Sequence, residues 1–222
     1  PDISFVVNRN INYTNICSFK CNFCAFSKGK GHDDLRGKPY NISEEEIIRR
    51  TKEAIDRGAT EVCLQGGIHP KFSGETYLDI VRAIRSVSDS SHIHAFSPLE
   101  IDHGRKTLNI SVKDFLIELK NVGLNSLPGT AAEILHDDIR AIICPDKLNS
   151  NEWVEIIKAA HSVGLPTTST MMFGHVENMS HVAHHLIRLL EIQNSTNGLT
   201  EFVPLPFVAE EAPIFRRGKS RP

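Results

Sequence analysis

The chain has 222 residues, of which 40% are hydrophobic and 23% are charged, and its formal net charge is −2. These values are ordinary for globular domains and exclude disordered, collagen-like and coiled-coil chains. The sequence shows no basic excess, no signal peptide, and no apolar run near the roughly 18 residues of a membrane helix. We therefore expect a globular protein that binds neither nucleic acid nor membranes.

Helices and short strands alternate along the chain. The clearest helix covers residues 43–57, where Ser43 and Glu46 form a capping box and Gly58 follows the last turn. The other predicted helices are 75–87, 111–122, 150–163 and 180–193, and the predicted strands are 9–15, 60–65, 92–96, 124–127, 166–171 and 199–203. From the second strand on, successive strands start about 30 to 40 residues apart, which is typical of βαβ units. The pattern predicts an α/β fold with a parallel sheet, either a closed barrel or an open sheet.

No domain boundary is visible before residue 204. We predict a core domain over residues 1–203 and the start of a further C-terminal region over residues 204–222. The chain begins at Pro1 and stops in a polar, basic stretch, so we expect it to be a fragment of a longer protein.

Polar and small residues follow nearly every predicted strand. In parallel α/β folds, ligands bind at the carboxyl ends of the strands, and glycines there allow close backbone approach. The candidate residues at these ends are Gly66, Gly67, His69, His94, Glu133, His175, Glu177 and Glu201. Because several strand ends share this feature, we expect a ligand site where they meet.

Cys17, Cys21 and Cys24 form a C-x3-C-x2-C pattern after the first strand. Three clustered thiolates predict a metal centre in a reducing compartment, and a four-iron cluster with three protein ligands has one iron open to a small molecule. The alternative is a zinc site in which His32 is the fourth ligand. We expect Cys63 and Cys144 to be buried apolar residues.

This cysteine loop, with Phe23 before its last cysteine, resembles that of the radical S-adenosylmethionine (SAM) superfamily. The resemblance implies a partial (β/α)6 TIM-like barrel of the radical SAM type. It also implies that Cys17, Cys21 and Cys24 hold a 4Fe–4S cluster, whose open iron is chelated by SAM. An electron from the cluster would then cleave SAM to methionine and a 5′-deoxyadenosyl radical.

The same resemblance implies four cofactor-binding residues. Phe23 matches the position whose backbone meets adenine. Gly66 and Gly67 resemble the motif for the SAM amino group, although Ile68 stands where that motif usually has Glu. Glu133 resembles the acidic contact to the ribose or amino-acid end of SAM.

A narrower resemblance covers nearly the whole chain and carries the functional expectation. Segments 12–17, 24–26, 35–40, 64–70, 92–98 and 173–177 resemble the branch that contains FO synthase and the menaquinone enzymes of the futalosine route. Segments 127–135 and 200–205 resemble FO synthase, specifically its 4-hydroxyphenyl-transferring activity. The alternatives are a futalosine-pathway radical SAM enzyme and a non-catalytic metal-binding module.

That resemblance implies a transferase of deazaflavin (FO) coenzyme biosynthesis. It would cleave L-tyrosine and join the 4-hydroxybenzyl group to 5-amino-6-(D-ribitylamino)uracil, with His94, His175 and Glu201 as catalytic residues. The implied partners are an electron donor and an FO ring-closing subunit or fused domain. We expect a cytoplasmic enzyme, or a plastid enzyme in a photosynthetic eukaryote.

Overall fold

Five parallel strands form two sheets in the computed structural model, which describes residues 3–27 and 37–220. The strands are β1 (Asn8–Asn12), β2 (Glu61–Gln65), β3 (His92–Ala95), β4 (Thr167–Phe173) and β5 (Leu199–Pro206). The first three pair in the order β1-β2-β3, and β4 pairs with β5. All of these pairs are parallel, as the alternation of strands and helices predicted.

Residues 124–127 join the two sheets into one arc. Ser126 bridges to His94 of β3, and Leu127 bridges to Thr167 of β4, both in parallel. The predicted strand here is reduced to these bridges because the Ile93 N–H donates to the Asn125 side chain, 2.8 Å away, instead of to a backbone carbonyl. The result is a six-segment parallel arc, which confirms the expected partial (β/α)6 barrel.

Eight helices accompany the strands in the described part of the chain. They are α1 (Glu44–Asp56), α2 (Gly74–Arg85), α3 (Pro98–Leu108), α4 (Val112–Asn121), α5 (Asp137–Ile143), α6 (Ser150–Ser162), α7 (Met179–Thr196) and α8 (Pro213–Arg216). The five predicted helices correspond to α1, α2, α4, α6 and α7, whereas α3, α5 and α8 were not predicted. Within residues 3–27 and 37–220, no helix is long and apolar enough to cross a membrane.

The two faces of the arc differ in polarity. Val62, Leu64, Ile93 and Ala95 are fully buried in the core that the sheet forms with the helices. The residues that alternate with them are polar or small and only partly buried, such as Cys63 and His94. We call this second side the inner face, and it corresponds to the interior of the barrel.

The C-terminal part of the described chain packs against the cysteine loop. β5 runs through residue 204 to Pro206, so the strand crosses the predicted domain boundary. The Ile214 N–H then donates to the Asn22 carbonyl at 2.7 Å, and Ile214 is buried in a cluster that includes Cys21. Residues 207–220 therefore extend the packing around the cysteine loop, and the division at residue 204 stays a prediction.

Candidate active site at the carboxyl ends of the strands

The cysteine loop, residues 17–24, follows β1 and is held by the end of α5 and the segment after it. The Asn22 N–H donates to the Ile143 carbonyl at 2.7 Å, and the Asn22 side-chain amide donates to the Ile142 carbonyl at 2.7 Å. The Lys20 N–H donates to an Asp146 carboxylate oxygen at 2.9 Å. These contacts fix the loop from a region more than a hundred residues away in sequence.

The three thiols of this loop fit the ligands of an iron–sulfur cluster. All five cysteines lie in the described part of the chain and carry free thiols. The Cys17 sulfur accepts a hydrogen bond from the Ile68 N–H at 3.3 Å. Burial raises the pKa of Cys24, while the backbone N–H groups of Phe26 and Ser27 oppose that rise. Such N–H donors stabilise a thiolate once a bound metal removes its proton.

A single metal ion fits the loop less well than a cluster does. Among the described residues, no three His, Cys, Asp or Glu side chains are arranged to hold one ion. Cysteine ligands of a four-iron cluster bind different iron atoms, so they need not converge on one point. The zinc alternative also required His32, which lies outside the described residues. The donor set therefore favours the 4Fe–4S cluster.

Gly66 and Gly67 place backbone without side chains beside the cysteine loop. A side chain on Gly66 would collide with the Tyr13 ring, and one on Gly67 would collide with the Ile16 carbonyl and crowd Cys17. The Gly67 N–H donates to the Thr14 carbonyl at 2.9 Å. Only glycine fits either position, and the pair lies directly beside the cysteine that begins the metal loop.

A buried carboxylate, which the sequence analysis did not single out, supports the glycine pair. Glu100 is 1% exposed and accepts hydrogen bonds from the Tyr13 hydroxyl and from the Gly66 N–H at 3.2 Å. It also accepts from the N–H and the hydroxyl of Ser97, at 2.7 and 2.6 Å. Glu100 therefore ties together the ends of β1, β2 and β3.

Lys147, which the sequence analysis did not single out, contacts both Glu133 and Phe23. The Lys147 ammonium lies 2.8 Å from a Glu133 carboxylate oxygen and 5.1 Å from the centre of the Phe23 ring. Burial lowers the pKa of Lys147, but Glu133 and the nearby thiols of Cys21 and Cys144 outweigh burial and raise it. Lys147 therefore keeps its positive charge beside the cysteine loop. Lys147 lies 14 positions from Glu133 in sequence, so no local pattern pointed to this pair.

His94 lies on the inner face, where it shares a serine hydroxyl with His92. Its Nδ1 is 2.6 Å from the Ser126 hydroxyl, and the same hydroxyl is 2.6 Å from the His92 Nε2. Burial, assisted by His92, lowers the pKa of His94 to about 4. His94 is therefore neutral at physiological pH and can accept a proton.

His175 lies in a different environment from His94. It is fully buried, its Nδ1 accepts the Val176 N–H at 2.8 Å, and its Nε2 lies 3.1 Å from the Met172 carbonyl. The Glu177 carboxylate accepts the N–H groups of Gly174 and His175. These contacts shape the turn after β4, and the catalytic role of His175 stays a prediction.

The remaining predicted residues lie at separate places on the arc. Glu201 is exposed on β5, in register with Thr168 of β4. His69 stacks on Phe72 with ring centres 4.6 Å apart, and its Nδ1 accepts the Lys71 N–H. The structure thus gathers the cysteines, Phe23, the glycine pair and Glu133 at one end of the arc, while His94 lies on its inner face.

Comparison with known proteins shows which family the chain resembles. A family model described as the radical SAM superfamily matches residues 11–189. The 5-amino-6-(D-ribitylamino)uracil–L-tyrosine 4-hydroxyphenyl transferase of Methanothermobacter thermautotrophicus is 48% identical over 220 residues, 99% of this chain and 59% of that protein. The FO synthase of Mycobacterium leprae is 49% identical over 221 residues, 100% of this chain and 25% of that protein.

Two solved structures share the fold at low sequence identity. Methylornithine synthase superposes with a TM-score of 0.72 at 16% identity, covering 94% of this chain and 56% of that one. The hydrogenase maturase HydG of Carboxydothermus hydrogenoformans gives a TM-score of 0.67 at 16% identity, covering 90% and 44%. These likenesses support the barrel architecture alone.

Proposed function

The chain belongs to the radical SAM superfamily, and on that basis we propose that it carries the 4-hydroxybenzyl-transferring activity of FO synthase. The substrates are L-tyrosine and 5-amino-6-(D-ribitylamino)uracil, by analogy with the relative that is 48% identical over 99% of this chain. The observation that carries the proposal is this similarity together with a cysteine loop, glycine pair and acidic residue at one end of the barrel.

Each part of the site has a role in this proposal. When bound, the 4Fe–4S cluster and SAM supply the radical that removes a hydrogen atom from tyrosine. Cys17, Cys21 and Cys24 hold the cluster, and the bare backbone of Gly66 and Gly67 lets SAM approach it. The barrel interior keeps water away from the reacting groups.

Glu133 and the inner face complete the assignment. Glu133, held by Lys147 at 2.8 Å, offers its carboxylate to the polar end of SAM. His94 and Glu201 provide a proton acceptor and an acidic contact for the substrates. We further propose an external electron donor, a ring-closing partner or fused domain, and a cytoplasmic location, because clustered thiols survive in reducing compartments.

Electron paramagnetic resonance tests the first step. We expect the dithionite-reduced, anaerobically reconstituted protein to give a 4Fe–4S signal that shifts when SAM is added. A Cys21→Ser variant should lose the signal and its SAM cleavage, while Cys63→Ser, which changes a thiol outside the loop, should retain the cluster. A cluster signal that does not change when SAM is added, or stoichiometric zinc in place of the cluster, would contradict the proposal.

Substrate trials test the second step. The full-length enzyme should consume tyrosine and the aminouracil together and form the 4-hydroxybenzyl adduct. Turnover of futalosine derivatives instead would assign the chain to the menaquinone branch.

A further inference from the structure

One serine hydroxyl on the inner face contacts two histidines. Ser126 is 6% exposed, and its Oγ lies 2.6 Å from the His92 Nε2 and 2.6 Å from the His94 Nδ1. Both distances are short for hydrogen bonds. A hydroxyl has one proton to donate, so it donates to one ring and accepts from the other. The protonation states of the two histidines are therefore coupled through Ser126.

The two histidines differ in their access to water. The His92 side chain is 43% exposed, whereas His94 lies one layer farther along β3, in register with Cys63. The strand register places Asn8, Glu61 and His92 in one layer of the inner face and Asn10, Cys63 and His94 in the next. The hydroxyl thus links a residue in the middle of the barrel interior to one at the amino end of the strands.

We propose that His94, Ser126 and His92 form a proton relay that carries a proton from a substrate in the barrel interior to water at the amino end of the strands. The proposal rests on the proposed function, since that function places a substrate with N–H and O–H groups against His94. His94 accepts the proton, so it is a catalytic residue, while Ser126 and His92 act through it.

Each of the three groups gains one proton and releases one, so the transfer balances. In the accepting state both imidazoles carry their proton on Nδ1. The substrate proton binds His94 Nε2, the His94 Nδ1 proton passes to Ser126 Oγ, and the Ser126 hydroxyl proton passes to His92 Nε2. His92 then releases its Nδ1 proton to water. Both rings finish as Nε2–H tautomers, and no electron is transferred.

The groups around the relay support this direction. The Glu61 carboxylate lies 3.9 Å from the His92 Nε2, at the end of the relay from which the proton leaves. Cys63 is the nearest titratable group on β2 beside His94, and burial raises the pKa of its thiol, so it remains neutral. On the other side, residues 124–127 contribute only neutral side chains. The carboxylate among these groups therefore lies at the His92 end of the relay.

Imidazole nitrogen NMR on the full-length protein with its oxidised cluster tests the geometry without any turnover. The two histidines should carry their protons on the same nitrogen, both on Nδ1 or both on Nε2, and Ser126→Ala should uncouple them. Mixed tautomers in the wild type, or tautomers unchanged in Ser126→Ala, would overturn the relay. This result stands whether or not the proposed substrates are correct.

Kinetics test the function of the relay. Ser126→Ala should lower kcat on the order of a hundredfold, without changing the KM for SAM, and Ser126→Thr should restore most of the rate. His92→Gln, at a partly exposed position, should lower kcat and flatten its pH profile. Ser162→Ala, which removes an exposed hydroxyl on α6, is the matched control. Wild-type rates and pH profiles in both Ser126→Ala and His92→Gln would overturn the proposal.

Discussion

Glu100 shows how a single buried residue can organise several strand ends. Its carboxylate accepts hydrogen bonds from Tyr13, Gly66 and Ser97, and burial raises its pKa. The Ser97 N–H and hydroxyl contacts also close a capping box at the start of α3. A buried carboxylate is costly unless its hydrogen bonds are made, so the local fold depends on all four donors.

Replacing this carboxylate tests its structural role. Glu100→Gln keeps the size of the side chain but turns an NH2 group towards donors, so at least one hydrogen bond is lost. We expect the free energy of unfolding to fall by about 2 kcal/mol or more, measured by urea denaturation. Glu118→Gln, on the exposed side of α4, should change it by less than about 0.5 kcal/mol. Equal losses in the two variants would contradict the role assigned to Glu100.

At the scale of the elements, local capping signals account for where most helices begin. Ser43, Ser111 and Asn149 each accept a backbone N–H from the first turn of α1, α4 and α6. The predicted capping box of α1 is only half formed, because the Glu46 carboxylate binds Arg49 and Arg50 instead of the Ser43 N–H. The start of helix α1 was nevertheless predicted correctly.

Helix α1 contains one polar group that its packing does not satisfy. Thr51 is fully buried, and its hydroxyl has no hydrogen-bond partner within residues 3–27 and 37–220. Thr51→Val keeps the shape and removes the unpaired hydroxyl, so we expect a gain of about 1 kcal/mol in unfolding free energy and a higher Tm. Thr51→Ala should lower the Tm because it leaves a cavity. A lower Tm for Thr51→Val than for wild type would contradict this account.

At the scale of the whole molecule, folding buries histidines that are exposed to water in the unfolded chain. Burial is the main cause that lowers the pKa of His94 and of His185 to about 4. In the unfolded chain an ordinary histidine titrates near 6.5. Between these values the unfolded state binds more protons than the folded state, so acid favours unfolding.

The resulting pH dependence can be measured. The stability that these groups contribute is fully present above about pH 6.5 and is lost as the pH falls towards 4, by about 1.4 kcal/mol per pH unit for each histidine. Urea denaturation at about pH 7 and about pH 5 should show this loss. The Asn side-chain oxygen in His185→Asn can still accept the Leu135 N–H. In this variant the free energy of unfolding should depend less steeply on pH, because one histidine fewer takes up a proton on unfolding. An unchanged slope in this variant would contradict the assignment.

The sequence by itself determined the alternation of strands and helices, the cysteine loop and the glycine pair, because capping, periodicity and ligand spacing are local properties of the chain. It missed α3, although the Ser97 and Glu100 capping signal is present, and it predicted a strand at residues 124–127 that forms only two bridges. The second error arises where the Asn125 side chain takes a backbone hydrogen bond from Ile93.

Only the tertiary structure brought distant residues into contact. Lys147 reaches Glu133 and Phe23 through the loop between α5 and α6, and Ser126 meets His92 and His94 through strand register. Glu100 joins three strand ends that lie up to 87 positions away in sequence. Such contacts depend on how the elements pack and align, and no local pattern of residue types encodes that alignment.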